Sequence, residues 1–509
     1  MAIIENSVIG RLWLALWAVL TALWPQSLLG RACARLERGA RRLASGSAVC
    51  RAVSREGRLD RAWPDSLTCR ILSGLINLPC ALVRTVYRAA PGLWDGSLLC
   101  RAVGGLGRSG ATLLGLLALV MLVVPHRHWN NVYGFLGAAV ITGLFILGTG
   151  SGRTRLEADR TGPYLFFFFT FVGAAFVGSL SISLSLRFFL FHLTGLCFAL
   201  VMVSAVERVE QVQRAAACGA AGLLVASVYG CIQGVQGVAV VASQQDAYLN
   251  VGMPGRVYSF FDNPNNFAEI IVMLLPLALA LLLEARTWRG RLASVVCLGA
   301  GLAAIGYTYS RSGWLGLALA VFVFLALQNW RVIPLAAAGA ILAIPLLPQT
   351  ILNRFLTIGD LRDTSTLYRF AIYEATGVLL EDYWFPGVGL GSDVMTQAFK
   401  AYPTMFDGNH PIHTHNNYLQ MFGELGLFGG VAYLALVLNQ LKRGIKAFYA
   451  GENRRVRSLL AAAVGGFCGI LLIGVAEYTW FYPRNMFLFW FLFGIIGACV
   501  KLVKKEAHS

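Results

Sequence analysis

Charged residues are scarce in this chain of 509 residues. Asp, Glu, Lys and Arg together make up 13% of it, against roughly 25% in an ordinary soluble domain, while 57% is hydrophobic and the mean hydropathy is +0.65. These values exclude a soluble globular protein and a disordered one. The 11 cysteines are scattered and show neither a disulfide framework nor zinc-ligand spacing. What remains is an all-α, polytopic membrane protein.

Long apolar runs recur after residue 109. A helix needs about 20 apolar residues to cross the hydrocarbon core, and on this basis we predict twelve transmembrane helices. They lie near residues 110–125, 132–149, 164–180, 186–204, 215–233, 265–284, 291–309, 312–329, 331–348, 417–439, 458–477 and 484–502. The sequence therefore predicts a membrane domain over residues 110–509, with a large loop, 349–416, that contains short helices.

Basic residues are distributed unevenly among the predicted loops. The net charge is +17, from 42 Lys and Arg against 25 Asp and Glu. With a cytoplasmic N-terminus, the short inner loops and the C-terminal tail hold 18 of these bases and all the outer segments hold nine. The positive-inside rule then predicts an inner or plasma membrane protein with both termini cytoplasmic and loop 349–416 outside. The excess of bases indicates contact with membrane lipids and not with nucleic acid.

The first 109 residues have a different composition, with 15 Arg, no Lys and six acids. Apolar clusters alternate with Arg, and a Ser-x-x-Cys-Arg unit recurs in SAVCRAV (47–53), SLTCRIL (66–72) and SLLCRAV (97–103). This pattern predicts amphipathic helices in the plane of the membrane surface. A signal peptide over residues 12–24 is the alternative, although it would leave the Arg-rich segment outside.

The densest polar cluster on the predicted outer side is DGNHPIHTHNNYLQMFGELGLFGG, residues 407–430. It contains His410, His413, His415 and Asn416 at the start of a predicted span. A histidine at a helix mouth can accept a proton from an attacking hydroxyl group, because it is largely neutral near pH 7. A polar helix cap is one alternative. A metal site formed by His413 and His415 with His410 is another, although no acidic or cysteine partner stands at ligand spacing.

Three further outer segments each contain an arginine that can bind phosphate through paired donors. Arg256 lies in GRVYSFFDNPNNFAE (255–269), where the residues around Asn265 also suit a turn and helix cap. Arg311 lies in TYSRSGWLG (308–316), where a snorkelling side chain is the simpler interpretation. Arg369 begins an amphipathic helix in LYRFAIYEATGVLLEDYWFPGVGLG, residues 367–391. The glycines that end this segment indicate a flexible turn and not a nucleotide site.

The order of these elements resembles that of the O-antigen ligase and polysaccharide polymerase superfamily. Arg256 and NPNNFA come first, followed by SRSGW, the Arg369 helix with DYWFPGVGLG, and HTHNNYLQ with Gly426 eleven residues after His415. The resemblance covers roughly residues 250–435 and includes the number of spans. It implies a metal-independent inverting glycosyltransferase without a cofactor, which transfers a glycan from an undecaprenyl diphosphate carrier to an acceptor hydroxyl group.

The resemblance also implies roles for individual residues. His415 would be the general base, and Arg369 with Arg256 and Arg311 would bind the diphosphate. His413, Asn416 and Asn265 are possible supporting residues. The partners would be a lipid-linked glycan donor, membrane lipids, and a glycan, lipid or protein acceptor. The implied function is ligase-like, in cell-surface polysaccharide biosynthesis, and a polymerase of the same superfamily is the alternative, because both use the same donor chemistry. The alternatives outside the family are a membrane transporter and a scaffold for an envelope complex.

Overall fold

The computed structural model describes residues 22–47, 57–151, 154–241, 252–359, 364–403 and 408–507, with Met405 and a few isolated positions before residue 56. Every regular element within these ranges is a helix, and they contain no strand. The predicted all-α fold is therefore confirmed. Most of the possible signal peptide over residues 12–24 lies outside the described residues.

The helices are numbered here in chain order. The N-terminal region contains α1 (Leu28–Gly46), α2 (Arg58–Ala62), α3 (Leu67–Ile76), α4 (Leu78–Ala89), α5 (Pro91–Gly96) and α6 (Leu98–Arg108). The remaining helices are α7 (Gly110–Val123), α8 (Asn131–Gly148), α9 (Ala158–Thr161), α10 (Pro163–Val177), α11 (Ile182–Ala205), α12 (Val209–Gln236), α13 (Pro264–Glu284), α14 (Trp288–Tyr307), α15 (Arg311–Asn329), α16 (Ile333–Ala343), α17 (Gln349–Leu356), α18 (Thr364–Asp382), α19 (Ser392–Phe399), α20 (Asn417–Ala450), α21 (Arg454–Ile473) and α22 (Pro483–Glu506).

The structure supports a multi-pass membrane protein with fewer clear spans than the predicted twelve. Nine helical segments in the described ranges are long and apolar enough to cross a membrane, or up to 11 if the bent pairs α3–α4 and α6–α7 each count as one. Each predicted span coincides with a helix. However, α15 and α16 lie in a single apolar stretch, Arg311–Leu346, and α7 and α10 have only 14 and 15 residues.

The last helix, α22, is the centre of the bundle. It is buried along its whole apolar length and packs against α11, α20 and α21. Trp490, Phe487 and Phe493 fill the space around it. On α21, Gly466 lies directly against the main chain of Met273 in α13, the close approach that small residues allow between membrane helices. We call the end of the bundle where α13 begins the site end, and the opposite end the far end.

Helix α20 is broken at Gly426, which has φ +68° and ψ −178°. The loop after α18 binds this break: Leu427 N–H donates to Trp384 O at 2.8 Å, and Val388 N–H donates to Gly423 O at 2.9 Å. A Cβ atom on Gly426 would lie 2.7 Å from Trp384 O. The glycine-rich turn of the sequence thus provides the hydrogen bonds that the broken helix lacks, and it fixes the end of α18 to α20.

The N-terminal helices α3 and α4 lie at the far end. Asn77 joins them to the loop before α9, since its side chain exchanges two hydrogen bonds with the main chain of Leu156, at 2.8 and 2.9 Å. Arg84 donates to Thr154 O at 2.6 Å. The opposite face exposes the apolar row Leu67, Ile71, Leu75, Leu78, Leu82 and Val86. These helices are amphipathic, and their position in the membrane plane stays a prediction.

Candidate active site

Glu477 is the point where the predicted site residues meet. It follows α21 and is buried at the site end. Its Oε1 accepts hydrogen bonds from Arg369 Nη2 at 2.6 Å and from Asn265 Nδ2 at 3.1 Å. Its Oε2 lies 3.4 Å from Nδ1 of His415. One carboxylate therefore joins α18, the start of α13 and the segment before α20, which are far apart in the sequence.

The main chain around His415 is held from several sides. Tyr373 OH donates to His415 O at 3.2 Å, and Asn416 Nδ2 donates to Val475 O at 2.9 Å. Asn416 also caps α20, because its Oδ1 accepts from the N–H groups of residues 418 and 419. The predicted supporting position of Asn416 is thus a structural one. These contacts fix the position of the imidazole relative to Glu477.

His415 has φ +48°, a left-handed conformation that is uncommon outside glycine. The other non-glycine residues with positive φ in the described part of the chain are Ser259 and Tyr309, with φ +55° and +49°. Ser259 follows Arg256, and Tyr309 lies in the turn before α15. A conformation of this kind costs on the order of 1–3 kcal/mol, and such residues cluster at functional sites. All three lie in segments that form the site.

The contact with Glu477 selects one tautomer of His415. When Nδ1 faces a carboxylate, it carries the proton and donates it, which leaves Nε2 with a lone pair. Burial raises the pKa of Glu477, but the charge of Arg369 and the contact with His415 outweigh it and bring the pKa down to about 2. Glu477 is therefore ionised near neutral pH, and His415 has the orientation that a general base requires.

His413 lies beside His415, with 4.2 Å between the ring centroids. Its Nδ1 accepts the N–H of His415 at 3.2 Å, and its ring contacts Phe481 at 4.5 Å. Burial, together with the charge of His415, lowers the pKa of His413 to about 3. It is consequently neutral at physiological pH and supports the loop, whereas the more exposed His415 faces the carboxylate.

Arg256 is buried next to Asn265. Its Nη2 donates to Asn265 Oδ1 at 2.5 Å and its Nε donates to Thr308 O at 2.7 Å. Burial and the nearby charges of Arg354, Arg311 and Arg369 lower its pKa to about 9, with Glu477 opposing them. Arg256 therefore stays protonated at neutral pH, and Asn265 connects it to Glu477.

Two more guanidinium groups lie around this centre. Arg311 begins α15 and its Nη1 donates to Thr357 O at 2.9 Å. Arg354 is buried on α17, and its Nε donates to Tyr309 O at 3.4 Å. The convergence of these groups with Arg256 and Arg369 favours an anion with more than one negative charge.

The structure brings together all seven residues that the sequence singled out. His415, Arg369, Asn265 and Arg256 form a continuous chain of contacts through Glu477. His413 and Asn416 hold the segment that contains His415. Arg311 lies at the edge of the group. In the described residues, no group of three or more His, Cys, Asp or Glu side chains is arranged to hold a metal ion.

Sequence reasoning missed Glu477, Arg354 and Tyr373 as parts of this site. For Glu477 a signal existed: it is the only acid between Glu452 and Glu506, and it follows a long apolar run. An isolated acid beside a predicted span is a functional candidate by that fact alone. Arg354 and Tyr373 lie in polar segments where their spacing gives no comparable signal.

The fold and the site together define a multi-pass membrane protein with a buried His–Glu–Arg cluster at one end of its helix bundle. Residues 293–434 match the family model described as O-Antigen ligase, and this match supports the similarity of the chain to the O-antigen ligase superfamily. The matched region contains Arg311, Arg354, Arg369 and His415, whereas Arg256 and Glu477 lie outside it. No curated protein matches the chain significantly.

Proposed function

We propose that the protein is a metal-independent, inverting glycosyltransferase that joins a glycan from an undecaprenyl diphosphate carrier to an acceptor hydroxyl group. The family supports glycan processing in a membrane. The observation that carries the finer proposal is the continuous contact from His415 through Glu477 to Arg369. It sets a candidate proton acceptor next to candidate ligands of a leaving phosphate.

The chemistry follows from this arrangement. Nε2 of His415 accepts the proton of the acceptor hydroxyl group, while its oxygen attacks the anomeric carbon of the glycan. The bond from this carbon to the diphosphate oxygen breaks, and the carrier diphosphate leaves with the electron pair. Because attack and departure occur on opposite faces of the carbon, the configuration inverts. Glu477 stabilises the imidazolium that forms, as a carboxylate does next to a catalytic histidine.

The arginines of the site would stabilise the leaving diphosphate. Departure builds negative charge on the diphosphate, and guanidinium groups that are already in position stabilise it without reorganisation. Arg369 and Arg256 are candidate phosphate ligands, with Arg311 at the edge. We add Arg354 to this set because it is buried and acts electrostatically on Arg256.

The distribution of basic residues along the sequence indicates which side of the membrane the site faces. We infer that the site end faces outward from the inner or plasma membrane and that both termini are cytoplasmic, as the excess of Lys and Arg at the opposite loops favours. The carrier would reach the site from the bilayer. Cysteine accessibility at Asp262 and at Arg455 tests this orientation, because only the first position would react with an impermeant maleimide added from outside.

A transporter is less well supported. Broken helices that line a substrate path are typical of transporters, and α20 is broken at Gly426. However, the loop from Trp384 to Gly389 binds the main chain at this break. The break therefore serves the packing of the outer segments, and the transporter hypothesis gives no role to the contact between His415 and Glu477.

The decisive experiment uses purified protein with a lipid-linked glycan donor and an acceptor, and it follows the released carrier diphosphate. His415→Ala should abolish release, whereas His410→Ala, a replacement in the same loop, should retain it. Activity in the presence of a chelator supports the metal-free mechanism, and loss that added divalent ions restore contradicts it. Mass spectrometry of envelope polymers from cells without the protein separates the two acceptor classes: unattached chains indicate a ligase, and shortened chains a polymerase.

A further inference from the structure

A cavity of about 670 Å³ lies at the far end, between α12, α13 and α14. This volume is within the range of about 300–1,000 Å³ that is usual for small-molecule pockets. Its walls are mostly short apolar side chains, among them Ala217, Ala221, Ala278, Ala285 and Ala293. The cavity is separate from the candidate active site, which lies at the opposite ends of the same helices.

The packing of α12 against α14 explains the cavity. The two helices touch where Cys297 Sγ lies 3.5 Å from Ala220 O, and again where Cys231 Sγ lies 3.4 Å from Ala300 O. Between the contact at Cys297 and the far end, small side chains on both helices leave the space unfilled. The cavity extends along α14 from Gly290 to Cys297, about 10 Å at the rise of a helix. In a bilayer, a space with such walls takes up hydrocarbon.

The rim of the cavity is basic. Arg214 lines it, Arg286 lies in the turn between α13 and α14, and Arg289 and Arg291 lie in the first turn of α14, next to Gly290 of the cavity wall. Two carboxylates near the cavity already have arginine partners: Glu210 lies 2.9 Å from Arg455, and Glu284 lies 3.0 Å from Arg454. Because these two acids are neutralised by arginines outside the rim, the rim keeps a net positive charge.

Trp288 indicates the level of the rim in the membrane. This side chain is 69% exposed at the start of α14, and the guanidinium of Arg289 lies over its ring at 5.8 Å. Tryptophan and arginine at the end of an apolar helix are typical of the headgroup region. The basic rim thus lies at the headgroups, and the apolar part of the cavity extends from there into the hydrocarbon.

We propose that this cavity binds an anionic glycerophospholipid, with one acyl chain between α12 and α14 and the phosphate at Arg214 and Arg291. Basic pockets between membrane helices bind acidic lipid headgroups in this way. The charge of the rim favours an acidic lipid over a zwitterionic one. It also disfavours a second copy of the same surface, since like charges would face each other. The lipid-linked donor is a different occupant, because its diphosphate would bind at the site end.

Native mass spectrometry of the full chain in detergent tests the proposal with dioleoylphosphatidylglycerol and dioleoylphosphatidylcholine as probes. The expected result is one retained phosphatidylglycerol per protein, bound at least tenfold more tightly than phosphatidylcholine. Ala293→Phe fills the cavity and should remove this binding, whereas Val295→Phe, on the exposed side of the same helix, should retain it. Ala217→Phe fills the cavity from α12 and gives a second, independent variant.

Arg214→Gln should lower the preference for phosphatidylglycerol several-fold without removing lipid, and Arg127→Gln at the site end is its matched control. Thermal unfolding in detergent alone shows whether each variant is folded. Equal retention of the two lipids by the unaltered protein would overturn the proposal. Unchanged phosphatidylglycerol binding in both cavity-filling variants, Ala293→Phe and Ala217→Phe, when they are folded, would contradict it as well. So would displacement of phosphatidylglycerol by equimolar polyprenyl phosphate.

Discussion

Oε2 of Glu477 lies 3.4 Å from Nδ1 of His415. Through its other oxygen the same carboxylate binds Arg369 at 2.6 Å. The carboxylate that orients the candidate base is therefore also the one that holds a candidate phosphate ligand. This double role distinguishes Glu477 from a carboxylate that serves only the packing of the helices.

Glu477→Gln should lower kcat by up to about 10⁴-fold, the effect of replacing the carboxylate next to a catalytic histidine by its amide. The amide oxygen can still accept from Arg369 and Asn265, but the variant no longer stabilises a charged imidazolium. The pH dependence of kcat should change with it, which a purely structural role would not produce. Asp393→Asn is the control, because Asp393 forms an exposed ion pair with Arg187 at 2.6 Å. Equal loss in both variants would contradict the role of Glu477.

Arg369→Lys should be nearly as damaging as Arg369→Ala. A lysine keeps the charge but cannot provide the planar pair of donors that suits a phosphate. The expected loss is at least tenfold in kcat/KM, measured by release of the carrier diphosphate. Full activity of the lysine variant would show that only the charge matters.

Arg354→Ala should reduce kcat/KM for the lipid-linked donor, although the sequence gives no reason to choose this residue. The expected effect lies in donor binding, since Arg354 belongs to the group of guanidiniums around Arg256. Arg187→Ala, which removes an exposed arginine at the same end, is the matched control. A tenfold loss in the first variant and none in the second would support the assignment; unchanged kinetics in both would remove Arg354 from the site.

Thermal stability should fall as the pH is lowered from about 6.5, the ordinary pKa of histidine. The folded-state pKa of His413 is about 3, so the unfolded chain binds an additional proton between these values. The free energy of unfolding then falls by up to about 1.4 kcal/mol per pH unit. Below about pH 4.5, Glu477 adds to the loss until its folded-state pKa of about 2. His413→Asn should flatten the slope between pH 6.5 and 4.5, whereas His128→Asn, on an exposed turn, should retain it.

Gly426→Ala should destabilise the protein because of the backbone conformation at the break in α20. A Cβ atom there requires an unfavourable φ and lies 2.7 Å from Trp384 O. A cost on the order of 1–3 kcal/mol is expected, visible as a lower temperature of unfolding in detergent. Gly173→Ala in α10 meets no atom within 4 Å and should leave stability unchanged or slightly higher. The same unfolding temperature for both variants would contradict this account.

The positions of the helices could be predicted from the sequence, because the length of a run of apolar residues can be read from the local sequence alone. The number of spans could not, since α10 is short and α15 and α16 lie in one apolar stretch. His415, Arg369 and Arg256 could be singled out because each is an isolated polar group in an apolar chain. Glu477 could not be assigned to them, because its contact with His415 joins residues 62 positions apart and depends on how the bundle closes.

The carboxylate of Glu477, which His415 and Arg369 share, also limits the design of chimeras between this protein and its relatives. The region that matches the family ends at residue 434, and Glu477 lies beyond it. A chimera that takes only that region from a relative would separate the imidazole from its orienting group unless the recipient supplies an acid at the equivalent place. Where the recipient lacks this acid, the segment after α21 should therefore be transplanted together with the loop that it supports.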